Sequence, residues 1–197
     1  MSEQIDTNEY KGYEIQVYLD ESPPNPRKDY DNLGSMICFH SRYNLGDEKG
    51  KGAEHPFSGP EALVEHVGRD DVIALPLYLY DHSGITMNTT GFSCPWDSGQ
   101  VGFIYVDKEQ VRKEWGWKLI TKMRQERIEE LLRGEVEEYD HYLTGNVYGY
   151  VIVHPDDPGE DLDCCWGFFG DPEDFMLGEA RDAVDWIVKE KEVAQWT

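Results

Sequence analysis

The sequence predicts a single α+β domain spanning residues 1–197, with a mostly antiparallel sheet of about six strands, a helical section and a C-terminal helix. Three observations lead there. Short apolar segments with a two-residue period cluster before and after a block of helical periodicity, which indicates α+β rather than strict βα alternation. Aromatic residues make up 13% of the chain, whereas disordered acidic chains lack the large apolar side chains needed to offset chain entropy. The length of 197 residues suits one domain with a substantial core.

The elements follow in order. Over Tyr13–Leu19, apolar Tyr13, Ile15, Val17 and Leu19 alternate with Glu14, Gln16 and Tyr18, the pattern of a half-buried strand. The prolines of residues 22–26 end it. Residues 35–42 read as a second strand and residues 46–59 as a long polar loop. Pro60–Val67 reads as a short helix opened by proline. Residues 72–80 form an apolar run in which Pro76 calls for an edge or bulged strand. The turn signal Asp81-His82-Ser83-Gly84 and the β-branched residues 85–90 predict a hairpin. After a second turn at residues 97–99, residues 100–106 form another strand. Asp107 is expected to cap the helix Lys108–Trp115, with Gln110 completing a capping box. Residues 118–142 read as a helix, continuous or broken at Gly134, with apolar Leu119, Ile120, Met123, Ile128, Leu131 and Leu132 repeating roughly at helical spacing. A strand at residues 146–154, a charged loop at 156–163, a strand at 165–169 and a helix at 177–191 complete the chain.

The net charge is -22. From Gly134 to Ala180, a run of 47 residues, there is no lysine or arginine, yet the run carries 13 of the 40 carboxylates. Such a surface repels phosphate backbones and anionic lipid, so direct nucleic-acid and membrane binding are not expected. The favoured partner is a basic protein surface. The acidic N-terminus lacks the apolar core of a signal peptide, and no apolar run is long enough to span a bilayer. Cys38, Cys94, Cys164 and Cys165 lack metal-site spacing and are expected to be free thiols in a cytoplasmic setting. No metal or cofactor is expected.

Several segments carry a resemblance: residues 75–106 (LPLYLYDHSGITMNTTGFSCPWDSGQVGFIYV), residues 32–47 (NLGSMICFHSRYNLGD), residues 142–152 (YLTGNVYGYVI) and residues 164–170 (CCWGFFG). They resemble the conserved blocks of a family of uncharacterised proteins from bacteriophages and mobile elements. The resemblance implies a phage-like genomic setting, hence the cytoplasm of a host cell, and implies no chemistry.

The carboxylates are the first candidate site. Glu126, Glu129, Glu130, Glu135, Glu137, Glu138 and Asp140 form a row at helical spacing, extended by Asp156, Asp157, Glu160, Asp161 and Asp163. A rigid display of carboxylates can imitate the charge of DNA and occupy the basic groove of a restriction enzyme, a CRISPR effector or another nuclease. The competing reading is a solvated acidic face, part of it neutralised by the eight Lys and Arg residues between Lys108 and Arg133. A second candidate is a thiol hydrolase with Cys94 as nucleophile, His82 as base and Asp97 or Asp81 as orienter. Its competing reading is turn chemistry, with Cys94 and Trp96 packed in the core. The loop at 156–163 offers oxygen ligands but lacks the EF-hand pattern. Trp115, Trp117, Tyr139, Tyr142, Tyr148, Tyr150 and Trp166 suit core packing better than base stacking, since no basic groove accompanies them. A passive homo-oligomer is the remaining alternative.

Overall fold

The computed structural model describes residues 2–47 and 56–194. The fold is α+β with antiparallel sheets, as expected, but its eight strands form two four-stranded sheets where about six were predicted in one. The chain divides into two compact units, residues 1–24 with 145–197, and Asn25–Thr144.

The first unit is a sheet in the order β1-β2-β7-β8, formed by β1 (Gln4–Tyr10), β2 (Tyr13–Leu19), β7 (Val147–His154) and β8 (Asp157–Phe169). The alternation read over Tyr13–Leu19 is realised: Tyr13, Ile15 and Val17 are buried together with Tyr150 and Ile152 of β7. Against this face lies the last helix, running Met176–Ala194, with Met176, Leu177, Ala180, Val184 and Ile187 inward. Strand β1 was not anticipated, because it is polar and mostly exposed and so carries no apolar period. The expected loop at 156–163 is instead the start of β8, which folds back on β7 as a hairpin. Its charges hid it, because charged residues are what an outer strand tolerates. At Gly149 an added Cβ would stand 2.3 Å from the Trp166 ring. The indole therefore lies directly over a residue that has to be glycine.

The second unit has the sheet order β3-β6-β4-β5, from β3 (Ser35–Cys38), β4 (Val72–Asp81), β5 (Ile85–Asn88) and β6 (Ser98–Asp107). Helices α1 (Pro26–Asp29), α2 (Pro60–Val67), α3 (Lys108–Trp115) and α4 (Lys122–Thr144) accompany it; the helix of the first unit is α5. Pro76 sits opposite Phe103 of β6, while β5 reaches only to Tyr78, next to a bulge at Leu77/Tyr78. The missing proline amide thus falls where no second neighbour needs it. Asp107 occupies the N-cap of α3 but makes no side-chain cap hydrogen bond, so the capping box is absent; the Lys108 amide donates to the Asp71 carbonyl instead, at 2.8 Å. Helix α4 runs unbroken through Gly134, which is exposed. Its buried stripe is Ile128, Leu132, Val136 and Tyr139, whereas Leu119, Met123 and Leu131 are exposed. Leu119 and Ile120, read as part of the helix, precede its start at Lys122. Of the predicted loop 46–59, residues 48–55 lie outside the described residues.

One polar cluster ties this unit together. The Arg27 side chain is 1% exposed, and its guanidinium makes four hydrogen bonds. Nε donates to Asp47 Oδ1 at 2.8 Å, Nη1 to Asn32 Oδ1 at 2.7 Å and to Glu135 Oε2 at 2.8 Å, and Nη2 to the Gly34 carbonyl at 2.6 Å. Nη2 also lies 2.7 Å from Asp47 Oδ1. The carboxylates are occupied in turn: Glu135 Oε1 accepts the Leu33 amide at 2.7 Å, and Asp47 Oδ2 accepts the Met36 amide at 2.8 Å. Helix α1, the approach to β3, the chain at Asp47 and helix α4 are thereby fixed to one guanidinium. Removing one partner of a buried ion pair leaves an uncompensated charge and costs about 3–5 kcal/mol. Glu135→Ala is therefore expected to lower the urea midpoint by a corresponding amount with the slope unchanged. An exposed acid on the same helix, Glu130→Ala, is the control and should leave the unfolding free energy within about 0.5 kcal/mol of the parent.

Candidate functional site

The acidic row predicted along α4 is not one surface. Glu135 is held by Arg27 and the backbone of residues 33–34. Asp140 turns towards β5, where its Oδ1 accepts the Thr86 hydroxyl at 2.8 Å and the Met87 amide at 2.6 Å. Both carboxylates fasten the fold and are unavailable to a partner. Glu129 takes a hydrogen bond from Gln125 at 3.0 Å and lies 3.7 Å from Arg133. Glu126 lies 3.8 Å from Lys122. Glu138 is half-buried, and burial, together with the neighbouring Glu135 charge, raises its carboxyl above the ordinary range. Among the described residues, Glu130 and Glu137 are the acids of this row that are exposed and form no ion pair.

The acids of the β7–β8 hairpin behave differently. Asp156 in the turn and Asp157, Glu160, Asp161 and Asp163 of β8 are all exposed. Among the described residues no lysine or arginine forms an ion pair with any of them; Asp156 lies 3.7 Å from His154 Nδ1. The charge is unevenly divided between the two units. The first holds 19 carboxylates against four Lys and Arg, net -15, in 77 residues, and the second holds 21 against 14, net -7, in 120 residues. The acidity is thus concentrated in the smaller unit, and on its outer hairpin it is uncompensated.

The hairpin does not reach the charge density of duplex DNA. Five carboxylates over residues 156–163 span about 23 Å at a strand rise of ~3.3 Å, about one charge per 5 Å. A duplex presents one per ~1.7 Å and a single strand one per ~3.4 Å of axis. Along the edge the hairpin resembles a sparse single row of phosphates.

The second candidate site is assembled in part. Residues of the β4–β5 turn and of the segment before β6 bring His82, Cys94 and Asp97 together, with His82 Nδ1 3.2 Å and Cys94 Sγ 3.7 Å from Asp97 Oδ2. The order is thiol, carboxylate, imidazole. Activation of a thiol requires the imidazole beside the sulfur and the carboxylate behind it, so the carboxylate occupies the place the base would need. A neighbouring cleft of about 370 Å³ is lined by His40, Arg42, Asp81, Trp96 and Asp97, and neither Cys94 nor His82 lines it. Asp81 is held by Arg42 and by the Tyr43 hydroxyl. The expectation that Trp96 packs in the core is wrong: it is 91% exposed. Cys38 borders a cleft of about 470 Å³ with His40, Tyr43 and Asp47, but burial pushes its thiol up to about 12, which leaves essentially no thiolate at neutral pH.

Among the described residues no group of three or more His, Cys, Asp or Glu could hold a metal ion, and no helix is long and apolar enough to cross a membrane. Of the aromatic set, Tyr139 and Tyr150 are buried, while Trp166 is 41% exposed on the outer strand and packs on Tyr18. The sequence offered one unused signal for this: Gly149 and Trp166 sit at matching positions of two consecutive strands. No protein-family model, no curated protein and no solved structure matches this chain.

The raised Glu138 carboxyl has a definite consequence for pH dependence. The folded state binds its proton more tightly than the unfolded state, so Glu138 favours folding most below the ordinary glutamate pKa of ~4.3 and loses that contribution as pH rises through its folded value. Glu138→Gln is expected to raise the melting temperature at pH 7, with the difference from the parent disappearing near pH 4. Calorimetric scans of both proteins at the two pH values check this.

Proposed function

We propose that this chain is an acidic binding protein that acts by occupying a basic surface on another protein, and that in a phage or mobile-element setting it serves as a nucleic-acid mimic inhibiting a host defence nuclease. The observation that carries the reading is the uncompensated hairpin: Asp156, Asp157, Glu160, Asp161 and Asp163 exposed together on the unit of net charge -15. Exposed charge of one sign accelerates encounter with a surface of the opposite sign and rejects like-charged partners. The Trp166 ring beside it offers the kind of aromatic anchor from which interfaces draw binding energy. The resemblance to phage and mobile-element proteins points to host DNA- or RNA-handling enzymes as the basic targets. The alternative of a thiol hydrolase finds no support in the order of Cys94, Asp97 and His82.

The reading makes the acids of β8, rather than those of α4, the contact residues. Immobilised protein incubated with host lysate is expected to retain basic nucleic-acid-binding proteins at low salt and to release them as salt rises. Added duplex or single-stranded DNA should compete for the same proteins. Replacing Asp157, Glu160, Asp161 and Asp163 by Lys should abolish retention while the circular dichroism spectrum stays unchanged. Retention that survives this replacement, or that DNA leaves untouched, contradicts the proposal.

A further inference from the structure

We infer that the outer edge of β8 accepts an extended, basic segment of the partner protein as an added antiparallel strand; the inference rests on the basic-partner reading above and specifies how the partner is held. Among the described residues β8 pairs on one side only, with β7. At 13 residues it is the longest of the four edge strands; β1 has seven, β3 four and β5 four. An unpaired edge presents a row of backbone donors and acceptors, a template for another strand.

The register limits where such a strand fits. The irregularities in β7–β8 pairing fall at Ile152/Val153, Val153/His154 and Tyr148/Gly149, so the in-register stretch is Asp163 to Trp166, between an irregularity at Leu162 and the bulge at Gly167, whose φ is +83°. Four residues make an edge of about 13 Å. All four, Asp163, Cys164, Cys165 and Trp166, are exposed, as is Asp161 just before the irregularity, and Leu162 is half-buried. The Cys164 amide donates to the Asp163 carboxylate at 2.9 Å. That bond is a local substitute for the carbonyl a further strand would bring.

Charge complementarity selects the occupant. Asp161 and Asp163 would lie beside the partner's side chains, and Trp166 near the other end of the edge. The irregularity sets Asp161 opposite Val153 and Asp163 opposite Ile152, hence on opposite faces; a segment with Lys or Arg beside Asp163 and an apolar residue on the other face beside Trp166 fits this edge. A second copy of β8 would bring carboxylates against carboxylates, and like charges directly opposite are destabilising. The same acids that reject self-pairing therefore favour a basic strand.

The probe is a short peptide alternating lysine and valine, together with a twin whose alternate amides are N-methylated. Charge is the same in both, but the twin cannot complete the ladder. Titrations monitored by calorimetry at low salt are expected to give about tenfold weaker binding for the twin, the equivalent of one or two lost hydrogen bonds. The double replacement Asp161→Lys with Asp163→Lys should weaken the unmodified peptide by at least as much, in a protein whose melting temperature shows it to be folded. Equal binding of peptide and twin overturns strand addition while leaving the basic-partner reading in place. If neither peptide binds yet basic proteins are still captured from lysate in a DNA-competed manner, strand addition alone has failed. Loss of that capture as well means the basic-partner reading has failed with it.

Discussion

The guanidinium of Arg27 sits almost fully out of water, and everything around it in the second unit is arranged to make that tolerable. A charge moved from water into protein carries a desolvation penalty of several kcal/mol, which is recovered only when its hydrogen bonds and counter-charges are all in place. Here four hydrogen bonds run to two carboxylates, an amide oxygen and a backbone carbonyl, and the carboxylates in turn accept the amides of Leu33, Gly34 and Met36. Four separate stretches of chain converge on this point. Helix α4 is fixed along the sheet at a second point by Asp140, which caps the Thr86 hydroxyl and the Met87 amide of β5. The cluster thus sets the position of the helix that covers the sheet, and Ile128, Leu132, Val136 and Tyr139 fill the core beneath it.

This constraint changes the meaning of the acidity. Charge density along a sequence does not distinguish a carboxylate that builds the fold from one that faces a partner. Glu135 and Asp140 belong to the first kind, Glu126 and Glu129 lie beside cations on their own helix, and α4 is left with few uncommitted acids. The hairpin acids belong to the second kind. They lie on or beside a strand that, among the described residues, has no neighbour on its outer side, in a unit that holds four Lys and Arg residues against 19 carboxylates. An edge strand studded with like charges resists pairing with copies of itself, and the same feature makes it complementary to basic sequence.

Much of the fold was legible, for specific reasons. Tyr13–Leu19, the hairpin at residues 72–90 and the helix Lys108–Trp115 announce themselves by period and turn chemistry, and all are present. Strand β1 and the first half of β8 were illegible because outer strands need no apolar face, so their sequences look like loops. The apolar residues read around α4 divide, Ile128 and Leu132 being buried and Leu119, Met123 and Leu131 exposed, because a helical period cannot say which side of the helix meets the sheet. The candidate site was legible as composition only. That Cys94, Asp97 and His82 lie near one another could be guessed from the turns that carry them. That the carboxylate stands between thiol and imidazole depends on side-chain directions no spacing encodes. The Arg27 cluster spans 108 positions from Arg27 to Glu135, and nothing local marks its members.

The central claim is that the acidic hairpin, not the acidic helix, is the contact surface. Hydrogen–deuterium exchange of the full chain, alone and with a lysine-rich peptide at low salt, reads this directly. The account predicts slowed exchange at the amides of β8 between Asp161 and Trp166, with α4 unchanged. Slowed exchange along Glu126 to Glu138 of α4, with β8 unchanged, would contradict it.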